Sequence, residues 1–440
     1  MTSALVAILG LTVLGIPIAL AVDRRASGAL LAGLAFLYGS GAIFLVLLAL
    51  SIVDVRWTLV TVSAAALAVF AIAVMIARRQ SAPGHKPDAG RAHLIDILTL
   101  VILACYALYA TPAPLWEWDF WAIWGLKAKT FLEAGRIDWR FLESRWNFFA
   151  HPDYPLLVPL NFDFVSLAAG GWDDRPLSLL FVAWPVALLL VARGIAARET
   201  TPFFAALLTF ALTPLALSWH IGLAEGALIA FGGAGVLFVR GALLHDDDPA
   251  AWRHGALLLG FAANCKNEGM ALLVVVTLAL AALSWSRARA RLPRLWPAYA
   301  LAAPWLILRA AHALPTDLVG GSAISRLMER LPHAGEILAF LATKLYEPLF
   351  WMVLLAGLLV APAAARWRER FVLVVTAILA IVFVGVYFAT PYDVRWHVLT
   401  SWSRLTGQIS VPITYAVFMM LASALRRGDG APPRETAVSA

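Results

Sequence analysis

"LVAILGLTVLGIPIALAV" (residues 5–22) and "FVLVVTAILAIVFVGVYFA" (residues 371–389) contain no charged residue, and each is long enough to cross a bilayer as a helix. Similar runs recur along the 440-residue chain, in which 62% of the residues are hydrophobic and 14% are charged. The strands of a membrane β-barrel would instead alternate apolar and polar residues. The sequence therefore predicts an all-α polytopic membrane protein, with about 12–14 transmembrane helices.

The positive charge of the chain carries topological information. The formal net charge is +7, and many Lys and Arg residues flank apolar runs. This arrangement is typical of the positive-inside bias and does not indicate nucleic-acid binding. The turn at residues 24–25 and the loop "RRQSAPGHKPDAGRAH" (78–93) are therefore expected in the cytosol. The first large loop, residues 114–155, then lies outside.

The spacing of the cysteines and the density of carboxylates indicate whether disulfides or metal sites are expected. The two cysteines, Cys105 and Cys265, occupy different apolar segments, and no Cys-x-x-Cys spacing occurs. Neither a disulfide framework nor a zinc site is indicated. Because no dense group of carboxylates is present in the sequence, we expect a protein without a metal or other cofactor.

The external loop opens with "PLWEWDFWAIWGLKAKT" (114–130), and residues 116–149 hold six of the 18 Trp residues. Aromatic residues interleaved with charges are typical of helices that lie at headgroup level. Asp119 does not fit that role, because a carboxylate between two aromatic residues is desolvated unless it faces a cavity. Lys127 and Lys129 either reach lipid headgroups or bind an anion.

Two further segments add polar groups near this loop. In "HPDYPLLVPL" (151–160), His151, Asp153 and Tyr154 form either a polar lip over the same cavity or a simple cap. The following apolar run, 156–170, is short and contains two polar residues, so it is re-entrant, interfacial or half-crossing. Glu225 and His220 lie at the outer end of another apolar run, where the Glu is either a buried ion-pair partner or part of the external polar side.

Segment 255–285 has basic residues at both flanks and "KNEG" (266–269) in its middle. Two cytosolic ends predict a hairpin of two short helices, whose tip places Lys266 and Glu268 within the membrane thickness. Charges at that depth are costly unless they line an aqueous cavity, so this tip is a functional candidate. Near the end of the chain, residues 391–408 supply Arg395, His397 and Arg404, which either bind a lipid phosphate or make ordinary headgroup contacts.

Four segments together resemble the polytopic GT-C glycosyltransferases, in the bacterial branch akin to protein mannosyltransferases and lipopolysaccharide core transferases. They are "WEWDFWAIWGLKAKTFLEAG" (116–135), "HPDYPLLVPL", "KNEG" and "RWHVLTSWSRL" (395–405). The resemblance spans residues 94–424, which leaves residues 1–93 as additional helices with a cytosolic loop, and 425–440 as a disordered cytosolic tail. It implies inverting transfer of a sugar from a polyprenyl-phosphate donor to an acceptor hydroxyl on a lipid, glycan or protein.

The resemblance also implies roles for individual residues, in a protein of the bacterial inner membrane whose site faces the periplasm or exterior. Asp119 corresponds to the general base. The candidates for a second acid are Asp153, Glu117 and Glu225. Donor-phosphate binding falls to Lys266 and Arg395 first, then to His397, Lys127 and Lys129. Substrate-lining candidates are His151, Tyr154, Glu268 and Arg404. Asp119, Lys266 and Arg395 should then converge on one outward cavity.

Other functions stay open. A transporter or flippase for a lipid or lipid-linked glycan also has intramembrane polar residues, but these should face both sides, whereas here they are expected to gather outside. A scaffold protein would need no acid within an aromatic loop. A ligase that transfers a whole lipid-linked polymer would depend on external Arg and His residues, so substitution of Asp119 separates it from the transferase.

Overall fold

The computed structural model describes residues 2–80, 93–112, 114–217, 221–245, 247–283, 285–316, 321–345 and 349–428. His220, most of the loop at 78–93 and residues 429–440 of the predicted tail lie outside the described residues. In the described part every regular element is a helix, and seven helices are long and apolar enough to cross a membrane. The predicted class, an all-α polytopic membrane protein, is confirmed. A count of about 12–14 crossings would require shorter helices to cross as well.

The described residues form twenty α-helices. In chain order they are α1 (Thr2–Val22), α2 (Gly28–Ile52), α3 (Leu59–Arg79), α4 (Leu94–Ala110), α5 (Gly125–Ala134), α6 (Trp139–Glu143), α7 (Leu157–Ala169), α8 (Asp174–Glu199), α9 (Pro202–Leu217), α10 (Glu225–Leu244), α11 (Pro249–Ala263), α12 (Asn267–Leu283), α13 (Trp285–Arg291), α14 (Trp296–Ala311), α15 (Gly321–Arg330), α16 (Ala334–Leu345), α17 (Leu349–Val360), α18 (Ala363–Arg368), α19 (Arg370–Ala389) and α20 (Val394–Gly428). Short π- and 3₁₀-helical turns occur at Phe120–Trp124, Arg145–Ala150, Leu292–Leu295 and Leu331–His333.

Helix α10 lies at the centre of the bundle. Its residues from Glu225 to Ala242 are buried without interruption, and it packs against α8, α11 and α20. Apart from Glu225 and Arg240 its residues are apolar on every face, as expected for a helix in such a position. Close approach depends on glycine: a Cβ on Gly235 would lie 2.8 Å from the Leu259 side chain of α11. Neighbouring helices can therefore make close contacts with both ends of α10.

The predicted hairpin is present as α11 and α12. The two arms pack against each other, and a Cβ on Gly269 would lie only 1.9 Å from the carbonyl oxygen of Ala262. The glycine of "KNEG" thus permits the close contact at the tip. The uncertain run at 156–170 forms α7, whose 13 residues extend about 20 Å, less than the hydrocarbon core. Because α7 packs against α1, α2 and α5 and most of its residues are buried, it is an internal helix of the bundle.

A second charged cluster lies near the opposite end of α10, roughly 22 Å from Glu225. The Arg240 guanidinium donates to Glu199 at 2.9 Å and to Glu369 at 2.5 and 2.6 Å, and all three side chains are at most 4% exposed. Arg240 also stacks over the ring of Tyr415, 5.1 Å away. The expectation that the buried polar groups gather on the external side is therefore wrong, because buried charges lie at both ends of α10.

Replacing Arg240 with Met should destabilise the protein strongly. Glu199 and Glu369 would stay buried without their shared cation, a change that costs about 3–5 kcal/mol. Thermal unfolding in detergent micelles measures the effect. Arg136→Met is the matched control, because it breaks an exposed ion pair with Asp54, worth at most about 1 kcal/mol. Equal melting temperatures for the two variants would contradict the structural role of the Arg240 cluster.

Candidate active site

The aromatic loop is held in place by some of its rings and exposes others. Phe120 and Trp124 are buried in the core, whereas Trp116, Trp118 and Trp121 are exposed. Trp121 is oriented by its Nε1–H, which donates to the carbonyl oxygen of Leu115 at 2.6 Å. The exposed rings fit the predicted interfacial role. The buried rings fix Asp119, which directly precedes the π-helical turn Phe120–Trp124.

Asp119 forms an ion pair with Arg404 of α20. Its Oδ2 accepts from Arg404 Nη2 at 2.5 Å, and the two side chains are 18% and 21% exposed. The other oxygen, Oδ1, has no hydrogen-bond partner in the described part of the chain. Asp119 therefore keeps one oxygen for a further proton donor while the other holds a cation.

Arg404 is shared with Glu225, at the start of α10. Its Nε and Nη2 lie 2.9 and 2.8 Å from Glu225 Oε1. The same oxygen accepts from Lys266 Nζ at 2.9 Å, and Lys266 also pairs with Glu268 at 2.7 Å. Glu225 is fully buried, and its Oε2 has no partner in the described residues. One buried carboxylate oxygen thus joins the hairpin tip, α10 and α20.

The second half of the loop is attached to the same hairpin tip. Asn267 donates to Asp153 Oδ2 at 2.9 Å, and Trp305 donates to the Asp153 carbonyl oxygen at 3.2 Å. The backbone N–H of Leu157 donates to the Asn264 carbonyl oxygen at 2.9 Å. Asp153 is therefore a buried structural link between the loop and the tip, beside the Lys266 pair.

Lys127 is buried beneath this loop. Its Nζ donates to the carbonyl oxygen of His151 at 2.5 Å and lies 5.4 and 5.6 Å from the ring centres of Trp124 and Tyr154. Tyr154 stacks on His151, and Lys266 Nζ lies 5.8 Å from its ring. Burial lowers the pKa of Lys127 to about 7, and the opposing effect of Asp153 is smaller. Lys129, by contrast, is exposed.

Asp119, Glu225, Lys266, Glu268 and Arg404 are thus brought together. Asp119 and Lys266 are linked through Arg404 and Glu225, so the described contacts place Arg404, not Arg395, beside them. An outward cavity on which these residues converge stays a prediction. Arg395 lies over the ring of Phe340, and His397 packs against Tyr387 and Tyr392. Arg395 precedes Arg404 by nine residues, which is roughly 13 Å along α20 and half a turn around it.

Carboxylates outnumber cations in this cluster. Glu117 lies beside Asp119, and its pKa is raised by partial burial and then by the Asp119 charge. With Glu225 and Glu268, four acids face two cations, Lys266 and Arg404. A carboxylate therefore remains available to accept a proton. Within the described residues no three His, Cys, Asp or Glu side chains are grouped as metal ligands, and metal independence stays a prediction.

Comparison with protein-family models, with curated proteins and with solved structures found no match for this chain. The fold and the site define a polytopic helical membrane protein with a charged cluster under an aromatic loop at one end of its bundle.

Replacing Lys127 with Met should remove a pH-dependent part of the stability. The pKa is 10.5 in the unfolded chain and about 7 in the folded protein. Between these two pH values the unfolded state binds more protons than the folded state, so the free energy of unfolding of the wild type increases as the pH rises. Below about pH 7 Lys127 is protonated in both states, and this increase is no longer seen. The stability of Lys127→Met relative to wild type should therefore be highest near pH 7 and should decrease toward pH 10.

Unfolding of detergent-solubilised protein across this pH range measures the difference. Lys129→Met is the control, because the Lys129 side chain is exposed. A constant difference between wild type and Lys127→Met over the whole range would show that Lys127 is not a buried group titrating near neutrality.

Proposed function

We propose that the protein is a membrane glycosyltransferase that moves a sugar from a polyprenyl-phosphate donor to an acceptor hydroxyl, with Asp119 as general base. The observation that carries the proposal is the partly exposed Asp119 carboxylate, with one unbonded oxygen, paired to Arg404 below a Trp-rich loop. A base must reach the hydroxyl that it deprotonates. Interfacial aromatic residues fit a reaction between membrane-bound substrates.

The proposed reaction is a single displacement. The acceptor oxygen attacks the anomeric carbon and loses its proton to Asp119, while the bond from that carbon to the phosphate oxygen breaks. The leaving phosphate gains negative charge, which nearby cations stabilise. Single displacement from the opposite face inverts the anomeric centre, and the reaction needs no further reactant.

Arg404 is the cation best placed for the donor phosphate. It is more exposed than Lys266, at 21% against 8%, and its Nη1 has no partner among the described residues. Guanidinium groups bind phosphate oxygens in pairs. A phosphate that engages Arg404 competes with Asp119 for it, so donor binding would release the base for the acceptor.

The remaining candidates fall into supporting positions. Glu225 holds Arg404, Lys266 pairs with the same Glu225 oxygen, and Asp153 holds the hairpin tip. Tyr154 stacks on His151, and its ring centre lies 5.6 Å from Lys127 Nζ and 5.8 Å from Lys266 Nζ. Placement in the bacterial inner membrane, with this site on the periplasmic or outer side, belongs to the same proposal.

Asp119→Asn should lower sugar transfer by about 10²–10⁴, the usual contribution of a general base. The assay follows radiolabelled sugar from polyprenyl-phosphate donors in membranes with equal amounts of each variant. Glu133→Gln is the matched control, since Glu133 is exposed on the same loop. Wild-type transfer by Asp119→Asn would reject Asp119 as the base and leave the Arg/His-dependent ligase as the better hypothesis.

Arg404→Gln and Arg395→Gln form a second test, because both remove one guanidinium from α20. Loss of a charge-assisted contact to the donor phosphate should raise the donor KM about tenfold or more for Arg404→Gln. Arg395→Gln should have little effect, because Arg395 lies over Phe340. A larger increase in the donor KM for Arg395→Gln than for Arg404→Gln would show that Arg395 is the main phosphate ligand.

Transport of a lipid or lipid-linked glycan is a second candidate, favoured by the Arg240 cluster at the other end of α10. A transporter would move labelled lipid across vesicles without chemical change. The product of the assay above therefore distinguishes the two functions.

A further inference from the structure

A cavity of about 360 Å³ lies at the end of the bundle far from Asp119. It is open to one side and is lined by the ends of α1, α8 and α10 and by the start of α11, roughly 24 Å along α10 from Glu225. These are turns between helices, which in a bundle of this kind lie at the level of lipid headgroups. Part of the wall is apolar, with Leu237 and Phe238.

The carboxylates of the cavity are mostly occupied. Asp248 accepts two bonds from Arg25 at 2.8 and 3.0 Å, and Glu199 accepts two from Arg240 at 2.9 Å. Asp23 uses only Oδ1, which accepts from the Arg25 backbone and side chain at 2.9 Å. Within the described residues Asp23 Oδ2 has no partner and can accept a further bond.

Among the described residues, the donors of the cavity without a partner are on His254, Arg198 and Arg25, whose Nη1 makes no described bond. Tyr38 and His254 are buried, with the Tyr38 hydroxyl 2.7 Å from His254 Nδ1. Because the described residues offer that hydroxyl proton no other acceptor, Tyr38 donates and the His254 proton is on Nε2. Nε2 is itself buried with no partner in the described residues. Arg198 makes one described bond, to the Arg25 carbonyl oxygen at 2.9 Å.

The cavity therefore offers donors on His254, Arg198 and Arg25 and one carboxylate acceptor on Asp23. A purely anionic ligand would face three carboxylates, and a purely cationic ligand would face two guanidinium groups. A group with both charges satisfies both sets. A primary ammonium can donate to Asp23 Oδ2, whereas a trimethylammonium has no N–H to donate.

We propose that this cavity binds the headgroup of a zwitterionic phospholipid with a primary ammonium, such as phosphatidylethanolamine. Phosphate oxygens accept from His254 and Arg198, the ammonium donates to Asp23, and the glycerol end meets the apolar wall. Free glycerophosphoethanolamine shares this headgroup chemistry, and the lipid differs by its acyl chains. The site is independent of the proposed sugar transfer.

Native mass spectrometry of delipidated protein in detergent tests the proposal. Dioleoyl-phosphatidylethanolamine should remain bound at higher occupancy than dioleoyl-phosphatidylcholine or dioleoyl-phosphatidylglycerol, which have the same acyl chains. Arg198→Gln should weaken its binding about tenfold, the effect of one charge-assisted hydrogen bond. Asp23→Asn should remove the preference over the glycerol lipid. Arg366→Gln is the control, because Arg366 is exposed and outside the cavity.

Equal or tighter binding of the phosphatidylglycerol lipid to wild type would overturn the proposal. So would equal weakening by Arg366→Gln and Arg198→Gln. Glycerophosphoethanolamine is added as a competitor and should displace little lipid. Full displacement at equal concentration would retain the headgroup chemistry but overturn the assignment to a lipid.

Discussion

The charged site depends on one buried oxygen, Glu225 Oε1, which accepts from both Lys266 and Arg404. A carboxylate that is fully buried is tolerated only when cations and hydrogen bonds replace its water. This requirement fixes the hairpin tip, the start of α10 and the N-terminal part of α20 relative to one another. Arg404 then reaches Asp119, so the position of the aromatic loop depends on the same pair of cations.

The exposed fraction of the side chains increases stepwise from Glu225 through this network to Asp119 and Arg404. Glu225 is buried, Lys266 is 8% exposed, and Asp119, Arg404 and Glu268 are 18–21% exposed. The inner pairs are costly to break, because separation would leave an uncompensated buried charge. The outer pair of Asp119 and Arg404 is where a substrate can exchange with a protein group at lower cost. The chemistry proposed for the site uses this outer pair and leaves the inner pairs intact.

Local sequence predicted the helices, the aromatic loop and the hairpin, because hydrocarbon thickness sets the length of apolar runs and "KNEG" interrupts one. It did not predict which face of α20 meets α10. Helical periodicity puts Arg395 and Arg404 on opposite faces but does not say which faces the site. The Arg240 cluster was missed because its partners lie 41 and 129 residues away. A single Arg inside the apolar run of α10 was the only available signal.

The two charge networks also bear on the choice between transfer and transport. Glu225 with Arg404 joins α10 to α20 at one end, and Arg240 over the Tyr415 ring joins them at the other. Buried charges at both ends of α10 are the feature that favours a transporter, but alternating access also requires helices to separate first at one end and then at the other. Separation at the Arg240 end would expose or unpair charges that are at most 4% exposed, with a penalty of several kcal/mol. A transferase needs only the Asp119 and Arg404 pair to open, so the double attachment of α10 and α20 favours catalysis in a closed bundle.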